Sequence, residues 1–170
     1  MRRGSQHHTR TVLFLQRAAL PVKRQSDIKE RSGAKYMVME PDVPVTEDGG
    51  KSDFFYGDSP EAQYRPAKVD RVLHDGDQVK LGGAVLTAHL TPGHTRGCTT
   101  WTMKVSEGGK TYDSVIVGSP NVNAGFRLVN NAKYPRIAEV YVRNEEVPAK
   151  VMRLNLRASP VRRPASTAHW

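Results

Sequence analysis

The sequence predicts a mixed fold of the α/β class, in its α+β form, and three observations favour it. A chain of 170 residues with 38% hydrophobic and 25% charged residues is typical of a globular domain with a buried core. Residues 68–117 alternate short apolar runs with turns rich in Gly and Asp, as β-hairpins do. Short helices are expected on either side, at 24–32 and 136–141. No apolar run approaches the roughly 20 residues of a membrane helix, which excludes a transmembrane protein.

The first helix has recognisable start and stop signals. Ser26 is placed to act as its N-cap, and Gly33 suits its end. A short apolar strand is predicted next, at 36–39. Residues 40–68 are polar and rich in Pro and Gly, so they are predicted to form a long surface excursion, which is usually functional or mobile.

The middle of the chain is predicted to form β structure with tight turns. Gly and Asp supply the residues that tolerate positive φ in such turns. The second helix follows Pro135, which favours a helix start. The predicted strands are 69–73, 79–81, 84–90, 98–105 and 112–117, with turns at 75–77, 82–83 and 107–110.

The basic charge is concentrated at the two ends. The net charge of +9 divides into +7 for residues 1–35, −2 for residues 36–141 and +4 for residues 142–170. Such asymmetry indicates either basic arms for an acidic partner such as nucleic acid, or ends whose origin differs from that of the middle. The single cysteine, Cys98, excludes an intramolecular disulfide and a multi-cysteine metal site.

One loop carries most of the chemical information. Residues 90–98 read Leu-Thr-Pro-Gly-His-Thr-Arg-Gly-Cys and lie between two predicted strands. His94 at the tip of this loop can offer a ring nitrogen to a metal, because the flanking strands fix its position. An isolated histidine in such a loop can also be a plain surface residue.

The loop resembles the T-P-G-H-T-x-G segment of the metallo-β-lactamase fold, and other stretches resemble the B3 subclass of these enzymes. The similar stretches include Tyr36-Met-Val-Met, the loop around Lys51-Ser-Asp-Phe, Val69 to Asp77, Val115 to Asn123, and Tyr134-Pro-Arg-Ile-Ala-Glu. The resemblance divides the chain into a basic N-terminal segment (1–27), a partial metallo-β-lactamase-like domain (28–141) and a basic C-terminal tail (142–170).

The resemblance implies an αββα sandwich that is incomplete in its N-terminal half, with one or two Zn²⁺ ions as cofactor. In that family a metal-bound hydroxide attacks the amide of a β-lactam, the expected small-molecule partner. Zinc supports this chemistry because it lowers the pKa of bound water to about 7 and polarises the carbonyl group.

The expected zinc ligands are incomplete. His94 matches the third histidine of the first zinc site, but the family's H-x-H-x-D-H motif, expected just before Ile28, occurs nowhere in the sequence. His169, in Ala-His-Trp, is either a remnant of the last ligand or an incidental tail histidine. His74 and His89 are expected to be structural residues.

The loop after residue 117 provides candidate substrate contacts. By resemblance, Ser119, Asn121 and Asn123 border the substrate cleft and can hydrogen-bond a ligand carboxylate, although turn formation explains such residues equally well. Arg96 is expected to be a solvated charge, and Cys98 a small packing residue.

Three functions therefore stand at the sequence level. The first is a zinc-dependent, β-lactamase-like hydrolase, impaired by loss of the metal motif. The second is a catalytically inactive fragment of that fold from a frameshifted gene. The third is a basic nucleic-acid-binding module, which the scarcity of aromatic residues at the ends and the lack of a known motif disfavour.

Location and assembly follow the resemblance in part. The family acts in the periplasm or outside the cell, yet the apolar run at 11–15 is too short for an export signal, so the chain as it stands is expected to be cytoplasmic. No membrane association is expected. An incomplete sandwich is expected to expose an apolar sheet, which favours self-association.

Overall fold

The computed structural model describes residues 11–13, 25–119 and 121–142. Within them, Glu40–Asp42 and Pro60–Ala62 form 3-10 turns, and residues 137–142 are helical. None of the helices in these ranges is long and apolar enough to cross a membrane. The principal elements are β1 (Thr11–Leu13), α1 (Gln25–Ser32), β2 (Lys35–Met39), α2 (Val43–Glu47), β3 (Arg71–Leu73), β4 (Gln78–Leu81), β5 (Ala84–Leu90), β6 (Thr99–Glu107) and β7 (Lys110–Ile116).

Helix α1 ends as predicted but does not begin as predicted. Gly33 has a φ of +64° and donates its backbone N–H to Lys29 O at 2.9 Å, which closes the helix. Ser26 is not the N-cap, because its hydroxyl donates to the backbone oxygens of Arg65 and Pro66 at 2.8 and 3.0 Å. Ser26 therefore ties α1 to a distant loop, a contact that local sequence cannot reveal.

Strands β1, β2 and β3 form a parallel sheet in that order. The turn at 75–77 does not make a hairpin, since β3 pairs with β2 and β4 belongs to the other sheet. The hairpin predicted there is therefore wrong. Parallel strands need long connections, and the segment between β2 and β3 is one of them.

Strands β4 to β7 form an antiparallel sheet in sequence order. The predicted turns at 82–83 and 107–110 are confirmed, because Leu81 pairs with Ala84 and Glu107 with Lys110 across two-residue loops. Gly108 and Gly109 both have positive φ, as this kind of tight hairpin requires.

A single apolar core joins the two sheets. Because strands of both sheets contribute to it, the sheets pack face to face as the two central layers of a sandwich. Trp101 on β6 and Leu73 on β3 are its largest fully buried members together with Met39. The full set is Met37, Met39, Leu73, Val79, Leu86, Ala88 and Trp101.

The excursion at 40–68 contains more regular secondary structure than the predicted surface loop. It contains two 3-10 turns and α2, each with Pro in its first positions, where a missing N–H costs nothing. The predicted helix after Pro135 is confirmed at 137–142. These pieces surround the loop between β5 and β6, and they matter for the site.

Several predictions fall outside the described residues. His169 and the basic tail belong to residues 143–170, and most of the basic N-terminal segment is likewise not described. The proposed boundary at 27/28 falls within α1, and the three-part division of the chain stays a prediction.

Candidate functional site

The loop that carries His94 is closed by its own backbone. Thr91 N–H donates to Cys98 O at 2.8 Å, and the hydroxyls of Thr91 and Thr100 lie 2.9 Å apart. Gly93 N–H donates to Thr95 O at 2.9 Å, which forms a tight turn at the tip. We call residues 91–98 the His94 loop.

Distant residues hold the tip of the His94 loop from two sides. The backbone N–H of His94 donates to Ser119 O at 2.8 Å. The buried Tyr141 hydroxyl donates to Gly93 O, and burial raises the pKa of Tyr141 well above its usual range. The phenol therefore stays protonated and keeps its role as a donor.

The four described residues predicted for the site form one hydrogen-bonded chain. Ser119 Oγ donates to Asn121 Oδ1, and Asn121 Nδ2 donates to Asn123 Oδ1 at 2.8 Å. Asn123 Nδ2 lies 2.5 Å from His94 Nδ1. The substrate-binding role predicted for Ser119, Asn121 and Asn123 stays a prediction, but the structure brings all three to the His94 side chain.

The hydrogen bond between Asn123 and His94 is compatible with two tautomers of the His94 ring, one for each orientation of the amides. When the Asn123 amide donates to Nδ1, the proton of the neutral ring lies on Nε2. When both amides are reversed, Nδ1 donates to Asn123 and the Nε2 lone pair is available as a ligand. Of these two arrangements, only the second, in which Nδ1 donates, is the one that metal-binding histidines have.

Tyr56 joins the site although the sequence analysis did not select it. Its hydroxyl accepts a hydrogen bond from Asn123 Nδ2 at 3.3 Å, and its ring centroid lies 6.0 Å from that of His94. Tyr56 is 67 residues from Asn123 along the chain. The only signal was its position in the long excursion at 40–68, a length that often marks a functional loop.

A second core cluster supports this side of the site. Phe54 packs edge-on against Phe126 and Tyr134, at centroid distances of 5.0 and 5.3 Å. Buried Ile137 and Tyr141 complete the cluster from the C-terminal helical residues. The cluster brings the excursion and the segment at 126–134 together beside the His94 loop.

Arg96 is not the solvated charge that was predicted. Its guanidinium carbon lies 4.6 Å from the Tyr134 ring centroid and 5.8 Å from that of Phe54, and Nη2 donates to Lys133 O. These are cation–π contacts. The prediction was wrong because both aromatic faces come from segments about 40 residues away in sequence.

The other candidate side chains have structural positions. His89 Nε2 bonds Thr102 Oγ1 at 2.9 Å between β5 and β6, while His74 is exposed beside Asp77. Cys98 is buried, and burial raises the pKa of its thiol, which agrees with a packing role. Within residues 11–13, 25–119 and 121–142, no three His, Cys, Asp or Glu side chains are grouped to hold a metal ion.

Comparison with known proteins adds the family context. No family model matches the sequence. The structure is similar to the native FEZ-1 metallo-β-lactamase from Legionella gormanii, with 51% identity, a TM-score of 0.78, and coverage of 82% of this chain and 53% of that one.

Two further enzymes extend the similarity. BJP-1, a subclass B3 metallo-β-lactamase of Bradyrhizobium japonicum, is 35% identical with a TM-score of 0.64, covering 72% of this chain and 45% of that one. LRA-12, a class B3 di-zinc enzyme from an Alaskan soil metagenome, is 25% identical with a TM-score of 0.68, covering 84% and 57%. The chain spans about half the length of these enzymes.

Proposed function

We propose that this chain is a zinc-dependent, β-lactamase-like hydrolase and that His94 is one of its metal ligands. Its partial metallo-β-lactamase fold is similar to that of subclass B3 enzymes. The observation that supports this proposal most is the hydrogen-bonded chain from Ser119 through the two amides to His94. The fold and the similarity to FEZ-1 agree with this assignment.

The described residues fit only part of a zinc site. His94 is half-buried, and its Nδ1 is hydrogen-bonded to Asn123. The ring fits a metal ligand when both amides are reversed, so that Nδ1 donates and the Nε2 lone pair is available. A catalytic zinc ion takes about three protein ligands and a water, and no group of three candidate ligands occurs in the described part of the chain. We propose that hydrolysis by this chain is impaired, because the H-x-H-x-D-H motif does not occur in its sequence.

The proposed substrate is a β-lactam, bound beside the amide chain. Asn121 is exposed, while Ser119 and Asn123 are half-buried, so this side of the site is accessible from solvent. Hydroxyl and amide groups are suitable donors for a carboxylate. In this proposal Ser119 and Asn121 contact the substrate, and Asn123 orients His94.

Metal binding and hydrolysis by the full chain test the proposal. Equilibrium dialysis with Zn²⁺ and turnover of a chromogenic cephalosporin are measured for the wild type, His94→Ala and His74→Ala. We expect both signals to be lost in His94→Ala and kept in His74→Ala, because His74 is exposed beside a remote turn. Equal signals in the wild type and His94→Ala would contradict the assignment.

An inactive fragment of the same fold is the second candidate. The absence of H-x-H-x-D-H and the change of charge on both sides of residues 36–141 favour it. Reading-frame changes before Ile28 and after Tyr141 would produce both features. Translation of the coding DNA in all three frames tests this. We expect H-x-H-x-D-H in another frame before Ile28, and its absence from every frame would refute the frameshift.

We also propose a periplasmic or secreted site of action, on the similarity to B3 enzymes alone. Fractionation of cells expressing the natural gene tests this. Recovery of the protein with the cytoplasmic fraction would contradict it.

Self-association is a further proposal that rests on exposed apolar side chains. Leu81, Val105 and Tyr112 lie on three strands of the four-stranded sheet, and each is more than a third exposed. Exposed apolar residues of this kind favour contacts between copies. Light scattering should therefore detect dimers or larger species, and a monodisperse monomer would contradict the proposal.

A further inference from the structure

We propose that Asp42 is a positioning residue that holds the His94 loop in place from a separate part of the fold. Asp42 ends the 3-10 turn after β2, just before α2. Its Oδ2 accepts the Thr95 hydroxyl at 2.5 Å, and its Oδ1 accepts the Gly97 backbone N–H at 2.7 Å. The two oxygens of one carboxylate therefore bind two points of the loop.

Two bonds from one rigid group restrain the loop more than one bond could. Hydrogen bonds to an ionised carboxylate are shorter and stronger than those between neutral groups. Because the acceptors are fixed relative to each other, they set the orientation of residues 95–97 as well as their distance from α2. Thr95 is buried, with 3% of its surface exposed, so water does not compete freely for its hydroxyl.

Gly97 provides an independent observation for the same contact. A Cβ atom at this position would lie 2.5 Å from Asp42 Cγ and 2.9 Å from Asp42 Oδ2. Such distances are too short for any side chain, so the carboxylate can approach the loop only because residue 97 is glycine. The close approach therefore depends on both residues, the carboxylate at position 42 and the glycine at position 97.

The restraint reaches His94 through its neighbouring peptide. The N–H of His94 is held by Ser119 O, and the following residue, Thr95, is held by Asp42. With both sides fixed, the imidazole is directed at Asn123. Without Asp42, Thr95 and Gly97 lose their hydrogen bonds to the segment before α2, and the ring position becomes more variable.

The functional meaning of this inference rests on the proposed role of His94 as a zinc ligand. The geometric claim does not, because it concerns the loop in the metal-free chain. A test without metal or substrate therefore separates failure of the Asp42 proposal from failure of the proposed function.

Nuclear magnetic resonance of the full, metal-free chain tests the Asp42 proposal. The imidazole resonances of His94 are recorded, with those of His89 as an internal reference. Hydrogen exchange of the Gly97 amide is measured in parallel. The variants are Asp42→Ala, Asp42→Asn, Thr95→Val, Thr95→Ser and Gly97→Ala. Asp113→Asn is the control, since Asp113 is likewise a carboxylate that accepts a hydrogen bond, from Lys104, but it lies on β7.

We expect Asp42→Ala and Gly97→Ala to shift or broaden the His94 signals and leave His89 unchanged. In Asp42→Ala, exchange of the Gly97 amide should be faster by about tenfold or more. Asp42→Asn should give a smaller change than Asp42→Ala, because the amide keeps one acceptor oxygen. Thr95→Val should also give a smaller change than Asp42→Ala, because the bond from Gly97 remains. Thr95→Ser should resemble the wild type, and Asp113→Asn should change nothing at His94.

Unchanged His94 signals in Asp42→Ala would overturn the proposal, because they would show that Asp42 does not restrain the loop. Equal changes at His89 and His94 would also overturn it, because they would indicate a general loss of structure. If Asp42→Ala does not fold, the pair Thr95→Val and Thr95→Ser decides the question in the same way. A wild-type chain that does not bind zinc would refute the proposed function, but it would not change the interpretation of the His94 signals.

Discussion

The four-stranded sheet and the His94 loop differ in how far their stabilising partners lie along the chain. Two-residue turns connect β4 to β5 and β6 to β7, so those strands pair with their immediate neighbours. The His94 loop instead depends on Asp42, Asn123 and Tyr141, which are 29 to 55 residues from the groups they bind. The sheet is specified locally, whereas the loop is specified only once the rest of the fold is present.

This difference has a physical consequence. Local pairings close short loops at small entropic cost, while each distant contact must order the long segment between its partners. Substitutions in the shared core should therefore weaken both regions, and substitutions at the distant contacts should weaken mainly the loop.

The largest effect is expected at Trp101, in the core that the two sheets share. Trp101 is 2% exposed and packs in the core between the sheets, so Trp101→Ala should lower the free energy of unfolding by about 3–5 kcal/mol. Trp101→Phe is the control, because it keeps a ring and removes an indole N–H that has no partner among the described residues. Urea unfolding measures both, and equal losses would show that the ring is not what matters.

A smaller effect is expected where the sheet meets the site. A Cβ on Gly118 would lie 2.6 Å from Thr99 O, so Gly118→Ala should cost about 1–3 kcal/mol through forced movement of the backbone. Gly83→Ala is the matched control in a hairpin turn, with no atom within 4 Å of the new Cβ. Thermal unfolding compares the two, and a cost at Gly83 as large as at Gly118 would contradict the local description of the hairpins.

Arg96 tests the distant contacts alone. Loss of its stacking on Tyr134 and Phe54 in Arg96→Ala should cost about 1 kcal/mol. Arg96→Lys should recover little of this, because an ammonium group lacks the planar face. The exposed Arg136, paired with Glu139, is the control, and its replacement by Ala should change stability by less than about 0.5 kcal/mol. Equal unfolding midpoints for Arg96→Ala and Arg136→Ala would show that the stacking of Arg96 does not stabilise the fold.

The smallest effect is a pH dependence at Asp70. A hydrogen bond from Lys29, with a second from the Tyr36 backbone N–H, lowers the pKa of Asp70 below its usual 3.8. The stabilisation is therefore complete above pH 3.8 and is lost as the pH falls below that value through the lowered pKa.

Asp70→Asn should flatten this part of the acid profile. Unfolding midpoints measured from about pH 5 to about pH 2 compare it with the wild type. Identical acid profiles would show that Asp70 contributes no pH-dependent link between α1 and the parallel sheet.

Much of the fold follows from sequence patterns. The hairpins at Gly82-Gly83 and Gly108-Gly109 were predicted because turn chemistry is local, and the end of α1 at Gly33 for the same reason. The parallel pairing of β3 with β2 was not predicted, because the turn that follows β3 has the same residue types as a hairpin turn. Strand partners depend on which apolar faces meet in the core, and short patterns do not encode that.

The site was predicted in part. His94, Ser119, Asn121 and Asn123 were selected by their resemblance to a family, and the structure brings them into one hydrogen-bonded chain. Tyr56 was missed altogether, and Arg96 was misassigned. The aromatic residues around it come from segments separated in sequence, and nothing in the residues next to Arg96 indicates them.

By itself, the sequence determined the turns, most strand positions and the identity of the His94 loop, because backbone conformational preferences and alternation act over a few residues. Only the tertiary structure decided that Asp42 binds Thr95 and Gly97, that Arg96 stacks on aromatic rings, and that β3 lies beside β2. Those contacts join residues about 34 to 55 positions apart, and their free energy exists only when the intervening chain has folded around the core.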